Sequence, residues 1–323
     1  MPAKIKAIEY YLPEKILTND QLSKAFPEWG VDKIKEKTGI GIRHIAGDEE
    51  CASDLGLKAA QKLFESGMCC PEEIDFLLFC TQCPDYFLPT TACLLQEKLH
   101  LPTTAGALDF NLGCSGYVYG LSLAKGLIES HQAKKVLLIT AETYSKFIDP
   151  QDKTVRTLFG DAGAATLVAA DDLVESMEFV FGTDGRGAKN LIVEKGAARS
   201  CFQDKINLTM NGPEIFVFTL QAVPKAVNAL LEKTNLTVDA VDFFIFHQAN
   251  QYMLEALRKK TKIPEEKFYI NLKEIGNTVS CTIPIALKEA QKQGKIKLND
   301  RVMLVGFGVG YSWGAGLVRG SHV

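Results

Sequence analysis

Net positive charge is what this chain most lacks. Its 36 Lys and Arg are outnumbered by 39 Asp and Glu, leaving a net charge of −3. Binding to a phosphate backbone rests on a clear excess of cations, so nucleic acid is not expected as a partner. Long apolar runs are missing as well. No uninterrupted stretch approaches the ~20 residues that span a bilayer, and membrane insertion is not expected. The opening Met1-Pro2-Ala3-Lys4-Ile5 has no apolar signal core. The nine cysteines are an odd number in a long chain, which does not fit a disulfide framework. Reduced thiols and a cytoplasmic location are the expectation. Low-complexity segments and long linkers are also absent.

What is present is a chain of 323 residues, 46% hydrophobic and 23% charged, long enough for two fused units. Short apolar runs alternate with longer helical patterns, which reads as α/β. Residues 74–80 (IDFLLFC), 106–110 and 136–140 (VLLIT) read as strands buried on both faces. Helical spacing of apolar positions covers 53–66, 91–99 and 115–129.

The second half repeats this plan. Ala240-Val241-Asp242-Phe243 parallels Glu73-Ile74-Asp75-Phe76, and Val302-Met303-Leu304-Val305 parallels Val136-Leu137-Leu138-Ile139, at offsets of 167 and 166 residues. Gly276-Asn277 follows Gly113-Cys114 at an offset of 163. Three landmarks at similar spacing point to an internal duplication, with halves 1–171 and 172–323. The alternative is a single α/β domain with look-alike strands. If the halves pack about a pseudo-two-fold axis, equivalent strand ends converge. Cys114 and Asn277 then occupy equivalent helix starts, and His247 leaves the strand equivalent to the one before Cys80.

Thiol chemistry is the natural use of such a convergence. Cys114 sits in Asn111-Leu112-Gly113-Cys114-Ser115-Gly116 between a strand and a helix. A free thiol titrates at about 8.5, and a helix N-terminus favours its anion. Gly113 and Gly116 permit the tight turn. The bland reading is a small buried core cysteine. His247-Gln248-Ala249-Asn250 and Gly276-Asn277-Thr278 supply an imidazole and a carboxamide; taken singly, they read as a strand-end histidine and turn residues. Taken together, Cys114 would hold an acyl group from a thioester. His247 and Asn277 would donate to a second thioester carbonyl, on which an enolate forms if a malonyl group loses CO2. Backbone N–H groups of Cys114 and of the turn Gly306-Phe307-Gly308-Val309-Gly310 would form a second oxyanion hole. That turn lacks the third glycine of a dinucleotide fingerprint, at Tyr311. Cys80-Thr81-Gln82-Cys83 has no second CxxC to complete a metal site. Neither metal nor resident cofactor is expected; a coenzyme A or phosphopantetheine thioester would be substrate.

The Cys114, HQAN and GNT motifs resemble those of beta-ketoacyl-acyl carrier protein synthase III, a thiolase-like condensing enzyme family. So do Lys37-Thr38-Gly39-Ile40 with Arg43, Phe159-Gly160-Asp161, Gly212 with Glu214 and Phe216, and the terminal GFGVGYSWGAGLV. The resemblance runs through nearly the whole chain. It implies a five-layered αβαβα fold with pseudo-two-fold related halves, a homodimer and a Cys114-His247-Asn277 triad. It further implies decarboxylative condensation of an acyl-CoA or acyl-carrier-protein primer with malonyl-acyl carrier protein.

Other residues follow by the same resemblance. Cys114 and Val309 would supply oxyanion N–H groups. Lys37, Lys153, Gly212, Phe216 and Asn250 would contact substrate and pantetheine. Leu88 would gate the acyl pocket across the dimer, and Arg258, Lys259 and Lys260 would dock the acidic carrier protein. The chain departs from the family's pattern where a primer nucleotide is held. Lys33 stands at the position of an adenine-stacking tryptophan, with Trp29 nearby but out of register. Lys37 and Lys153 replace arginines, Tyr252 replaces another, and Pro213 stands where an asparagine often lies. Two other readings keep the sequence features: an acyl-Cys transferase to an alcohol or amine, and a silent partner subunit.

Overall fold

In a computed structural model the described residues are 1–171, 175–199 and 206–320. The boundary placed at 171/172 adjoins residues 172–174, which lie outside them. The strands form two five-stranded sheets built to one plan. In the first, Phe76–Cys80 runs parallel to both Gly106–Phe110 and Lys135–Glu142, and Ala162–Ala170 runs antiparallel to Lys135–Glu142 and Ala3–Tyr11. In the second, Phe243–Phe246 is parallel to Phe268–Tyr269 and Arg301–Gly308. Ser312–Arg319 is antiparallel to Arg301–Gly308 and Glu178–Thr183.

The duplication is visible atom by atom in one place. Asp75 accepts the backbone N–H groups of Lys134 at 2.7 Å and Lys135 at 2.9 Å. Asp242 accepts that of Arg301 at 2.8 Å. Each aspartate precedes a central strand and satisfies the first free donors of its neighbour. The first strand starts at Phe76 rather than at 74 because Ile74 closes the tight turn Pro71–Glu73, donating its N–H to Pro71 O at 3.2 Å.

Two helices lie between the sheets, Gly116–Glu129 and Thr282–Lys292; the second is mostly buried, and the first is buried over about half of its residues. Sheets on two sides leave the first helix only a narrow solvent-facing strip, where Leu123 is 45% exposed and Lys125 pairs with Glu129 at 3.1 Å. This explains the broad apolar spread within 115–129. Ala52–Glu65 covers the outer face of the first sheet, and Gly212–Thr234 covers that of the second. The result is a layered αβαβα arrangement. Gly212–Thr234 is long and apolar enough to cross a bilayer, but it lays Ile215, Phe218, Val223 and Val227 into the core beside the second sheet.

One strand departs from expectation. Gly106–Phe110 is not buried on both faces: it is the sheet's edge, pairs among the described residues only with Phe76–Cys80, and leaves Leu108 38% exposed. Apolar composition does not reveal whether a strand has one neighbour or two.

Candidate active site

The three polar motifs leave equivalent ends of the two sheets. Cys114 follows the edge strand Gly106–Phe110 and precedes the helix Gly116–Glu129. His247 follows Phe243–Phe246 directly. Asn277 lies between Phe268–Tyr269 and the helix Thr282–Lys292. All three side chains line one cavity of about 850 Å³. Sequence separation of 133 residues and more is thus closed by the fold alone.

Asn277 is held by backbone on both sides. It forms a parallel bridge with Phe159, donating its N–H to Leu158 O at 3.0 Å and accepting from Gly160 N at 2.9 Å. Its Oδ1 accepts the Val279 N–H at 3.0 Å, and its Nδ2 reaches Ala249 O at 3.3 Å. Val279 carries φ of +55°. A β-branched residue in the left-handed region is strained, and such strain clusters at functional sites. Arg43 braces the same region from behind: it is fully buried and donates to Thr157 O at 2.9 Å and to Asn19 Oδ1 at 2.5 Å.

Cys114 is 4% exposed, and backbone N–H groups of Val309 and of Cys114 itself point at its sulfur. Two of the glycines expected in the turn are required by this approach. A Cβ on Gly308 would stand 2.8 Å from Cys114 Sγ, and one on Gly306 would stand 2.7 Å from Cys114 O. The helix-start position does not win the thiol's titration. Burial, then the charge of Glu142, push it up to about 12, against the two N–H groups. Glu142 is itself wholly buried and pushed up to about 8 by desolvation, while accepting from Gln82 N at 3.0 Å and Ser280 Oγ at 2.9 Å.

His247 is neutral. Burial drives it down to about 3, and its Nδ1 lies 2.7 Å from Thr282 Oγ1. The Phe307 ring meets it edge-on at 5.4 Å.

The other sequence-predicted residues divide into two groups. Lys37, Gly212, Phe216 and Asn250 line the cavity with the triad. Asn250 also caps the helix Gln251–Lys260, accepting the Met253 N–H at 2.9 Å. Lys153 does not line it; it pairs with Glu28 at 2.6 Å and sits 5.8 Å from the Trp29 ring. Lys33 and Lys37, which line the cavity, flank the same ring at 5.8 and 5.3 Å, so Trp29 stands beside the cavity's cations without lining it. Tyr252 is exposed at the mouth and stacks on Phe216 at 5.4 Å. Leu88 is 82% exposed and does not line the cavity within one chain. Arg258 is engaged by Glu255 and Glu265, whereas Lys259 and Lys260 are exposed at the helix end.

Sequence reasoning passed over Glu142 and Thr282. Glu142 had a legible signal, a lone carboxylate closing the apolar strand Lys135–Glu142. Thr282 had only a hydroxyl at a helix start, which alone reads as a cap.

Comparison with known proteins gives matches over the same regions. A family described as 3-oxoacyl-[acyl-carrier-protein (ACP)] synthase III matches residues 108–185, and its C-terminal counterpart matches 231–320. The beta-ketoacyl-[acyl-carrier-protein] synthase III of Clostridium tetani is 38% identical, covering 96% of each chain. Synthase III 2 of Halalkalibacterium halodurans is 39% identical, covering 98% of this chain and 96% of its own. A crystal structure of a 3-oxoacyl-(acyl-carrier-protein) synthase III superposes with a TM-score of 0.98 at 50% identity, covering 99% of this chain and all of that one.

Proposed function

Because the chain belongs to the 3-oxoacyl-[acyl-carrier-protein] synthase III family, we propose that Cys114, His247 and Asn277 carry its condensation. The enzyme is an acyltransferase that joins an acyl thioester primer to malonyl-acyl carrier protein with loss of CO2.

In the first step the Cys114 sulfur attacks the primer's thioester carbonyl, and the proton it gives up ends on the departing thiol. The tetrahedral oxyanion forms beside the sulfur, within reach of the N–H groups of Cys114 and Val309 that the thiol otherwise occupies. The malonyl thioester next loses CO2, leaving an enolate whose oxygen accepts from His247 and Asn277. Its carbon attacks the acyl-cysteine carbonyl, collapse expels Cys114 as thiolate, and a proton from solvent restores the thiol. Every charge in this sequence forms on sulfur or oxygen beside a donor already in place, so the reading calls for no resident metal or cofactor.

Lys33, Lys37 and Lys153 around Trp29 suit the phosphates of coenzyme A or of a carrier-protein arm. Lys259 and Lys260 are exposed cations placed to meet an acidic carrier protein. The exposed Tyr86-Phe87-Leu88 tip and the open edge strand suit a second copy of the chain, making a homodimer in which Leu88 reaches the neighbouring primer pocket. Eight free cysteines among the described residues fit a reducing cytoplasm.

The observation that carries this reading is the convergence of sulfur, imidazole and carboxamide on one cavity. Intact-protein mass spectrometry after mixing with acyl-CoA tests it. One acyl group on Cys114, lost in Cys114→Ala, together with CO2 release from malonyl-acyl carrier protein, is the expected result. An acylated Cys114 without CO2 release would instead indicate transfer to an alcohol or amine.

A further inference from the structure

We propose that the hydroxyls of Ser115 and Ser312 tie the Cys114 turn to the second sheet and so hold the Val309 N–H in place for a developing oxyanion. This rests on the reading that a thioester carbonyl meets the Cys114 and Val309 N–H groups. Both serines are positioning residues: neither lines the cavity, and both act through the Val309 peptide.

The two N–H groups come from remote parts of the chain. Cys114 lies in the turn before the helix Gly116–Glu129, and Val309 lies in the tip between the strands Arg301–Gly308 and Ser312–Arg319. Glycine flanks Val309 on both sides, so its immediate neighbours do not fix it. Gly310 has φ of +71° and Tyr311 φ of +49°. An aromatic residue keeps a left-handed backbone only where its surroundings impose it.

Those surroundings grip the tip from two sides. On one, the Tyr311 ring lies parallel to Phe218 at 4.0 Å, and its hydroxyl accepts from Asn190 Nδ2 at 2.7 Å. On the other, Ser312 donates both its N–H and its hydroxyl to the Val309 carbonyl, the hydroxyl at 2.9 Å. Ser115 Oγ lies 2.7 Å from Ser312 Oγ. With the Ser312 proton on Val309 O, Ser115 donates and Ser312 accepts, so one arrangement satisfies both contacts. The Val309 carbonyl and N–H share one Cα, and a carbonyl held twice leaves the N–H little play. Because Ser115 follows Cys114 directly, the tie sets the two oxyanion donors against each other. Helix capping does not account for the Ser115 hydroxyl. A serine at a helix start ordinarily accepts one of the free N–H groups. Ser115 holds that position and makes no such bond; it turns to a residue 197 positions away. Packing does not call for the pair either, since both hydroxyls are buried and two apolar groups of that size would leave no donor unpaired.

The test follows the carbonyl of acyl-Cys114 by infrared difference spectroscopy, using the straight-chain acyl-CoA that labels Cys114 fastest with 13C at its carbonyl. In the unaltered protein the band is expected below that of a free thioester in an apolar solvent, because two N–H groups donate to it. Ser312→Ala should move the band back toward the free value. It should also slow acylation at saturating acyl-CoA about tenfold, a part of the roughly 100- to 1,000-fold lost with a whole oxyanion donor. KM and the fraction of protein acylated should stay within about twofold, whereas a merely structural role would lower that fraction. Ser312→Thr, which keeps the hydroxyl, should keep band and rate. Ser115→Ala should shift both in the same direction by less, since Ser312 still holds Val309. The double variant should be no slower than Ser312→Ala, because the two hydroxyls act as one unit. An unmoved band and rate in Ser312→Ala, an equal loss in Ser312→Thr, or additive losses in the double variant overturns the proposal and leaves the proposed function standing. If Ser312→Ala does not fold, an unmoved band in Ser115→Ala overturns it. An unaltered protein in which Cys114 takes no acyl group overturns both.

Discussion

A thiol that must attack while nearly out of water is held in its neutral form, and Cys114 shows this as a titration pushed up to about 12. Desolvation is the larger cause, and the Glu142 charge adds to it. The second contribution is itself pH-dependent, because Glu142 is pushed up to about 8. Below that pH the carboxyl is protonated and exerts no repulsion; above it, the carboxylate opposes the thiolate. Alkylation of Cys114 by iodoacetamide should therefore still be rising through pH 9 to 10, with no plateau near the ordinary thiol value. Glu142→Gln should react faster than the unaltered protein above pH 8, where the carboxylate is charged, and at a similar rate at pH 6. Superimposed profiles over the whole range would remove Glu142 from the account. The resting enzyme is thus slow toward general electrophiles. On the proposed function, attack becomes favourable only when a thioester carbonyl places its developing charge on the Val309 and Cys114 N–H groups.

At the scale of elements, the strand Arg301–Gly308 and the turn at Cys114 approach so closely that only glycine fits at two places. Gly306→Ala would press a Cβ on backbone, at 2.7 Å from both Cys114 O and Ser115 Cα. Backbone has no rotamer to yield, so this substitution should cost about 1–3 kcal/mol in denaturant unfolding. Gly308→Ala would instead press on the Cys114 side chain, at 2.8 Å from Sγ and 3.0 Å from Cβ. Here the thiol moves, and the expected outcome is lost acylation with a smaller change in stability. The helix Gln251–Lys260 gives a third element-level prediction, since it starts at the cavity with Asn250 and ends at the surface in Arg258, Lys259 and Lys260. With Arg258 held by Glu255 and Glu265, the two lysines are the cations available to a partner. Lys259→Glu with Lys260→Glu should raise KM for malonyl-acyl carrier protein, most strongly at low salt, and leave acylation by acyl-CoA unchanged. Much of this arrangement was legible in the sequence. The paired Asp75 and Asp242, the Gly-Cys and Gly-Asn turns and the strand before His247 all mark equivalent points of a repeat. What was not legible depends on neighbours remote in the chain. Glu142 meets Ser280 across 138 residues, Thr282 matters only because His247 arrives beside it, and the exposure of Gly106–Phe110 reflects a missing neighbour.

At the scale of the whole molecule, one edge of the first sheet stands unpaired among the described residues. The edge strand Gly106–Phe110 leaves Leu108 in water, and the preceding loop exposes Tyr86, Phe87 and Leu88 at 61, 72 and 82%. The end of that loop is fastened to the same strand, because Asp109 accepts the N–H groups of Thr91 at 2.6 Å and Ala92 at 2.7 Å. An open edge and an apolar tip on one side invite strand pairing with another chain, and self-pairing is the closed, symmetric solution. Sedimentation should therefore give a dimer. The gate role of Leu88 then becomes a question of which chain it serves. A single chain leaves Leu88 away from the cavity, so the proposed gate is expected to act in the neighbouring subunit. Mixed dimers decide this. One subunit carries Cys114→Ala and Leu88→Trp, the other is unaltered, and only the unaltered subunit can be acylated. Its longest accepted acyl chain, read by intact-protein mass spectrometry over a ladder of acyl-CoA lengths, should shorten because of the tryptophan opposite. Placing Leu88→Trp on the acylated subunit, opposite a Cys114→Ala subunit with Leu88 intact, should leave its own limit unchanged. A monomer in solution, or a limit that follows the acylated subunit's own residue 88, would defeat this account of the gate.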